Sequence, residues 1–264
     1  MAKDFGTKLN RLERELPEGL VVDAAWLSAK GYSASLRNQY VASGWLEKPA
    51  GTVFRRPRGT VSWEQVVVSL QMLLDRPLVP GGRTALGLQG FNHYLSKTYS
   101  EIHLYGPKPP PAWVNALKLD TRFVPHNSAR LFPEPEDRLR DAKDTVRIPW
   151  GQWNWPIVMS NPERAVFELL DELPARESFH QVDKLFEGLS ALSPRKLQPL
   201  LQSCRSVKVK RLFFFFADRH NHAWLKRLDK TAIDLGSGKR KLIDGGKLDP
   251  TYQITVPEDL DGVQ

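Results

Sequence analysis

Cysteine occurs once in the 264 residues, at Cys204, so no intramolecular disulfide framework can hold this chain together. No apolar run approaches the roughly 18 residues that a membrane span requires. The opening MAKDFGTKLNRLEREL has charges but no hydrophobic stretch after them; it reads as a short helix with Leu9, Leu12 and Leu16 in a stripe, and not as a leader. A cytoplasmic protein with no membrane partner is expected. Metal-ligand spacing is also missing: His220 and His222 flank Asn221, but structural zinc takes three or four ligands and only one cysteine exists. No metal or cofactor is therefore expected. LGSGKR at 235–240 lacks the leading glycine of a phosphate loop and has Arg240 where a Ser or Thr would hold magnesium, so it reads as a tight turn feeding a basic strand. Cys204 and His180 lack any local nucleophile signature, and a free cysteine is usually a small buried hydrophobe.

Acidic residues are scarce in the last third. Between positions 195 and 247 there are fourteen Lys or Arg and only four Asp or Glu, a surplus of ten that exceeds the net +8 of the whole chain. Such an excess points to a polyanionic or acidic partner. The candidate patch is Lys208, Lys210, Arg211, Lys226, Arg227, Lys239, Arg240 and Lys241; the bland alternative is a solvated face on a helical layer. The length suits two domains, each with its own core.

What is present is concentrated at residues 20–58, LVVDAAWLSAKGYSASLRNQYVASGWLEKPAGTVFRRPR. Asp23 can cap a helix over 23–30, which Gly31 stops by taking the left-handed conformation. Ser33 can cap a second helix over 34–43, with Leu36 and Tyr40 four apart on its inner face and Gly44 at its end. Ser35, Asn38 and Ala42 fall opposite, flanked by Arg37 and Gln39. A hairpin follows, 45–48 and 52–56 around Pro49-Ala50-Gly51, with Arg55, Arg56 and Arg58 at its end. Helix, glycine turn, helix and basic hairpin together describe a winged helix-turn-helix. The expected DNA contacts are Ser33, Ser35, Arg37, Asn38 and Gln39 on bases or nearby phosphates, and Lys48, Arg55, Arg56 and Arg58 on the backbone. An ordinary helical hairpin with a solvated basic strand is the alternative.

Downstream, helical spacing predicts segments over 63–74, 83–88, 179–189, 194–203 and 208–219, with shorter turns at 112–117 and 223–228. Strands are expected at 100–105, 121–125, 130–132, 146–149, 239–243 and 252–256. Ser160-Asn161-Pro162-Glu163 is a helix start, with Ala165, Val166, Leu169, Leu170 and Leu173 on the buried face. Phe213 to Phe216 report burial between layers, and Trp150, Trp153 and Trp155 mainly packing. The expected architecture is α+β: an N-terminal winged helix-turn-helix over 1–60, then a larger mixed α/β domain over 61–264. No repeat is evident.

The 20–58 stretch, with GGRTALGLQGF (81–91), SEIHLYGP (100–107), MSNPERAVFELLDELP (159–174) and DLGSGKRKLIDGGKLDPTYQITVP (234–257), resembles the AbiEi family of antitoxins from bacterial type IV toxin–antitoxin systems. The resemblance runs nearly end to end. It implies an N-terminal winged helix that represses its own operon by binding inverted repeats in promoter DNA. It further implies a second domain that neutralises a nucleotidyltransferase toxin without needing a stable complex with it. The basic third could then compete for, or protect, a nucleic-acid target such as tRNA. The rival reading is a nuclease in which Glu163, Asp171 and Glu172 bind magnesium, although capping and solvent exposure also explain those carboxylates. A third is a transcription factor with no toxin. No catalytic residue is expected.

Overall fold

The computed structural model describes residues 2–91, 100–133 and 143–261. Helix α1 (Ala2–Glu15) leads into strand β1 (Val21–Asp23), helices α2 (Ala24–Ala29) and α3 (Ala34–Ala42), and strands β2 (Glu47–Ala50) and β3 (Val53–Arg55). The three strands form one sheet in the order β1-β3-β2. This is the element order of a winged helix. Asp23 accepts the Trp26 N–H at 2.8 Å and Ser33 that of Leu36 at 3.3 Å, so both caps expected from the sequence are made. Gly31 and Gly44 have φ of 87° and 75°, where a Cβ would be strained. The hairpin turn lies two residues later than the sequence suggested, because Lys48-Pro49-Ala50 belongs to β2.

Helix α4 (Trp63–Met72) joins this unit to the rest. Its Ser69 hydroxyl accepts the buried Val21 N–H at 2.8 Å. Its Gln71 amide accepts Val158 N–H at 3.0 Å and donates to the Val158 and Leu78 carbonyls at 2.8 and 2.9 Å. Strand β4 (Val79–Pro80) and helix α5 (Gly82–Leu88) come next, then β5 (Glu101–Gly106) and β6 (Arg122–Asn127). Strands β4-β5-β6 form a sheet in which β5 and β6 run parallel, linked through a 3-10 turn, Ala112–Ala116. Strands β7 (Thr145–Trp150) and β8 (Trp155–Ser160) make an antiparallel hairpin. Helices α6 (Pro162–Asp171), α7 (Phe179–Glu187), α8 (Pro194–Ser203) and α9 (Val207–Arg219) follow, and β9 (Lys247–Asp249) pairs with β10 (Ile254–Val256).

Two expected strands fall elsewhere. Residues 130–132 are not extended, since Asn127 caps a 3-10 turn over Ser128–Arg130. Residues 239–243 contribute only one bridge, Arg240 to Ile254; the partner of β10 is 247–249.

α6 is the centre of the larger part: from Glu163 to Leu170 every side chain is buried. Asn161 caps it, accepting the Arg164 N–H at 2.9 Å. Arg164 and Glu168, one turn apart and both without solvent exposure, pair at 2.7 Å. Arg164 also reaches Asp144 at 2.6 Å. Glu168 accepts the Ser160 hydroxyl at 3.0 Å and the Gly82 N–H at 2.9 Å. The approach of α5 depends on glycine: a Cβ on Gly81 would collide with the Glu168 carboxylate and the Tyr105 ring. On the other side of α6, Phe167 stacks on Phe213 of α9 with centroids 5.1 Å apart. Phe213, Phe214 and Phe216 are fully buried, as the aromatic run suggested.

Breaking a buried pair leaves a charge with no compensation, at a cost of about 3–5 kcal/mol. Glu168→Ala should lose that much in urea unfolding, while Lys239→Ala at the surface should stay within about 0.5 kcal/mol of the parent. A Glu168→Ala protein of undiminished stability would show that the pair does not carry the fold.

Candidate nucleic-acid interface

Helix α3 has two faces. Leu36 and Tyr40 turn inward, Tyr40 fully buried with its ring 6.4 Å from that of Tyr32. Ser35, Asn38, Gln39 and Ala42 are all exposed. Their spacing of three, four and seven residues makes one continuous stripe. Ser33 is exposed at the start of this stripe, its oxygen engaged in the cap. Beyond the helix, Trp45 is 44% exposed. Lys48 on β2 is exposed too, with Nζ 5.8 Å from the Phe54 ring.

Arg37 does not share the stripe. Its Nη1 donates to the Ser28 hydroxyl at 2.6 Å, the Tyr32 carbonyl at 2.8 Å and the Ala24 carbonyl at 3.2 Å. These acceptors lie on α2 and the turn, so Arg37 laces the two helices together and its expected role on a base edge is corrected to one of positioning. Arg55 needs a similar correction, and Arg56 and Arg58 pair with carboxylates at the base of the ribbon, Arg58 remaining exposed. The register of β1 against β3 sets Asp23 opposite Val53 and Val21 opposite Arg55, which places Arg55 and its successors at the root of the ribbon, away from its turn. Arg55 is 7% exposed, paired with Glu47 at 2.6 Å, and donates to the Arg58 and Gly59 carbonyls. Arg56 meets Glu13 and Glu18 at 3.5 and 3.3 Å, and Arg58 meets Glu18 at 2.8 Å.

The C-terminal patch divides in the same way. Arg211 is 3% exposed and donates to the carbonyls of Leu235 and Gly238, both at 2.7 Å, pinning the glycine loop. Burial, with Arg240 nearby, pushes its pKa down. Lys210 is 6% exposed. Lys208 donates to the carbonyls of Asp171 and Leu173 at 2.6 and 2.9 Å, neutralising the end of α6. Arg211 and Lys208 have their charges met by protein groups, and Lys210 is turned away from solvent, so none of the three presents a free cationic surface. Lys226, Arg227, Lys239, Arg240 and Lys241 are exposed, Lys241 beside Asp244.

The rival carboxylates do not share a partner. Glu163 is buried, against the solvent exposure expected of it; it accepts the Ser193 N–H at 2.9 Å and faces Lys196 at 3.7 Å. Asp171 lies two turns on, about 12 Å along the axis, and pairs with Lys208. Glu172 faces His126 at 3.0 Å. The metal-ligand group found among the described residues is His103, His126 and Glu172, which sequence spacing did not reveal. His220 instead contacts Asp183 at 2.8 Å, and His222 the Phe186 carbonyl at 2.6 Å.

Two family models match in tandem: "AbiEi antitoxin N-terminal domain" over residues 6–97 and "Transcriptional regulator, AbiEi antitoxin, Type IV TA system" over 99–257. The chain belongs to the AbiEi family. Among solved structures, the RV2827C protein from Mycobacterium tuberculosis is similar at 16% identity and a TM-score of 0.55, over 95% of this chain and 90% of that one. That likeness concerns the fold alone. No curated protein matches. Among the described residues of this AbiEi-family protein, no helix is long and apolar enough to cross a membrane.

The signals that sequence reasoning missed are non-local. Nothing in the composition of α3 tells Arg37 from Asn38; only the return of α2 beneath the first does so. Losing the Arg37 hydrogen bonds, charged on the donor side, should cost about 2 kcal/mol of stability, so Arg37→Ala should lower the thermal midpoint where Asn38→Ala leaves it unchanged. Equal midpoints would return Arg37 to the surface stripe. Cys204 is 3% exposed and burial pushes its thiol pKa up to about 11. The native thiol should resist Ellman's reagent at pH 7.5 and react fully in urea; rapid native labelling would contradict its burial.

Proposed function

We propose that this AbiEi-family regulator binds inverted repeats in its own promoter through α3, and that its later residues counteract a nucleotidyltransferase toxin in the cytoplasm. The observation that carries the first half is the exposed stripe of Ser35, Asn38 and Gln39 on a helix whose other face is anchored in the core. Asn and Gln each offer a donor and an acceptor to an adenine edge, and a small Ala42 lets the helix sit deep in the major groove. Lys48 and the ribbon turn at Gly51-Thr52 reach the neighbouring backbone, with Ser33 at the helix start. Each chain carries one such unit, so two protomers read the two halves of a repeat. In this division residues 1–60 read DNA and 61–264 hold the antitoxin activity.

For that activity the exposed Lys226, Arg227, Lys239, Arg240 and Lys241 are the surface best suited to a polyanion such as tRNA, the reading that fits a toxin neutralised without a stable complex. Among the described residues Glu163, Asp171 and Glu172 each face a different partner, which counts against the nuclease reading's shared magnesium site.

Each bidentate base contact is worth about 1–3 kcal/mol of discrimination. In gel shifts on the native promoter, Asn38→Ala and Gln39→Ala should each weaken binding about tenfold or more and relax preference at one position per half-site. A folded double variant that binds its promoter undiminished would remove α3 from the interface. Charge reversal at Lys226, Arg227, Lys239 and Arg240 should leave the gel shift intact and abolish rescue of growth when the toxin is co-expressed. Full rescue by a folded reversal variant would dismiss the basic surface.

A further inference from the structure

Neither half of that reading uses the two imidazoles and the carboxylate gathered at the edge of the β4-β5-β6 sheet. Parallel pairing sets His103 opposite Val124 and Tyr105 opposite His126, so both histidines project from one face, diagonal to each other across adjacent strands. His103 Nδ1 lies 2.9 Å from His126 Nε2, with the rings nearly parallel at 8°. His126 Nδ1 lies 3.0 Å from Glu172 Oε1, at the end of α6. One donor atom from each of the three residues falls within 4.8 Å of the others. The side chains are 7%, 7% and 12% exposed.

We propose that His103, His126 and Glu172 bind one divalent transition-metal ion of the zinc type. Two neutral imidazoles and a carboxylate are the donor set of a three-ligand zinc site, whose fourth position is left to water or an anion. Two nitrogens bound to one tetrahedral zinc stand about 3.3 Å apart. The 2.9 Å between the histidines therefore has to open by a few tenths of an ångström, while Glu172, now on the opposite nitrogen of His126, has to close from within 4.8 Å to a similar spacing as the His126 ring turns. Outer partners are in place as well. Glu101 lies 4.0 Å from the far nitrogen of His103, Arg176 lies 3.5 Å from the second Glu172 oxygen, and Tyr105 stacks on His126 with centroids 4.4 Å apart. Such groups orient ligands and restrain their rings.

His126 and Glu172 also line a cleft of about 410 Å³ edged by Arg130, Arg176 and Lys208. The cleft leaves room for a water or an anion to complete the shell, although Asp171 and Glu172 on its wall already pair with Lys208 and Arg176. The ion would tie β5, β6 and the end of α6 at one point. Hard cations prefer all-oxygen shells, so magnesium and calcium are excluded by the imidazoles.

The test uses full-length, tag-free protein stripped with EDTA and titrated with zinc chloride in a calorimeter, with metal content read by mass spectrometry after gel filtration. One equivalent is expected, and His126→Gln and Glu172→Gln should each weaken binding about 10- to 100-fold, as should His103→Gln. His220→Gln, at the other histidine pair, should bind as the parent does. Magnesium and calcium should give no stoichiometric heat. Because His103 and His126 both lie inside strands, every variant is checked for folding by circular dichroism, and Glu172→Gln, just past the end of α6, decides the matter where a histidine variant does not fold. The site is overturned if the parent takes up no stoichiometric zinc, or if folded His126→Gln and Glu172→Gln bind it as tightly as the parent.

Discussion

A guanidinium and a carboxylate, both wholly sealed from water, hold the centre of this protein. Arg164 and Glu168 lie one turn apart on α6, and bringing two such ions out of solvent costs several kcal/mol each before they attract one another. The cost is offset only because every neighbour is arranged to meet them. Asp144 takes the outer face of Arg164, Ser160 and the Gly82 amide take the oxygens of Glu168, and the Phe132 ring lies 5.0 Å from the guanidinium. Burial still raises the Glu168 pKa against the pull of Arg164. These partners come from β8, α5, the approach to β7 and the segment after the Ser128–Arg130 turn, so one charged pair fixes where four separate segments sit. Two strings that looked unrelated in the sequence, GGRTAL and SNPERAVFELL, turn out to be the two sides of this contact.

The same use of charge recurs in the N-terminal unit. Arg37, Arg55 and Arg56 look like a phosphate-gripping set when the chain is read as text, yet their donors are directed to carbonyls and carboxylates of the protein itself. A guanidinium has five N–H donors in a fixed fork and can bind several carbonyls at once, which suits it to bracing a tight turn. The consequence for DNA is a change of balance. On the proposed reading of promoter DNA, with those cations engaged, polar groups on α3 would carry more of the recognition, and phosphate attraction less, than the count of arginines implies.

What could be read from the sequence was local. Asp23, Ser33 and Asn161 mark their helix starts because a cap is settled within four residues, and Gly31 and Gly44 mark ends because a positive φ excludes other residues there. Strands β1, β4 and β8 escaped notice: the first two have three and two residues, and a strand that short is defined by its partners. The pairing of β10 with 247–249 in place of 239–243 is the same failure, since register is a property of two segments. Exposure was the least legible quantity. Lys208, Lys210 and Arg211 stand together in one basic run, and only the packing of α9 against α6 separates the buried Lys210 and Arg211 from the half-buried Lys208. The His103–His126 proximity likewise comes from parallel register, over a separation of 23 residues that no spacing rule covers.

Helix α4 then bears on how the two parts act together. It spends Ser69 on the edge of the winged-helix sheet and Gln71 on both β8 and the approach to β4, and the main cluster of buried apolar residues among those described runs through it from Leu12 to Leu260. However function divides near residue 60, the buried surface does not divide there. Val21 would lose the partner of its amide, and Leu20 and Val22 part of their cover, if the first 60 residues stood alone. A polar N–H buried without a partner costs about 1–3 kcal/mol, a large share of what a small domain has to spare. The stability of the winged-helix unit is therefore tied to α4, and through Gln71 to the hairpin that ends at Ser160, one residue before the cap of α6. Any ligand that binds differently to two arrangements of α6 would have a continuous, packed route to the sheet that supports α3, and one that binds both equally would have none.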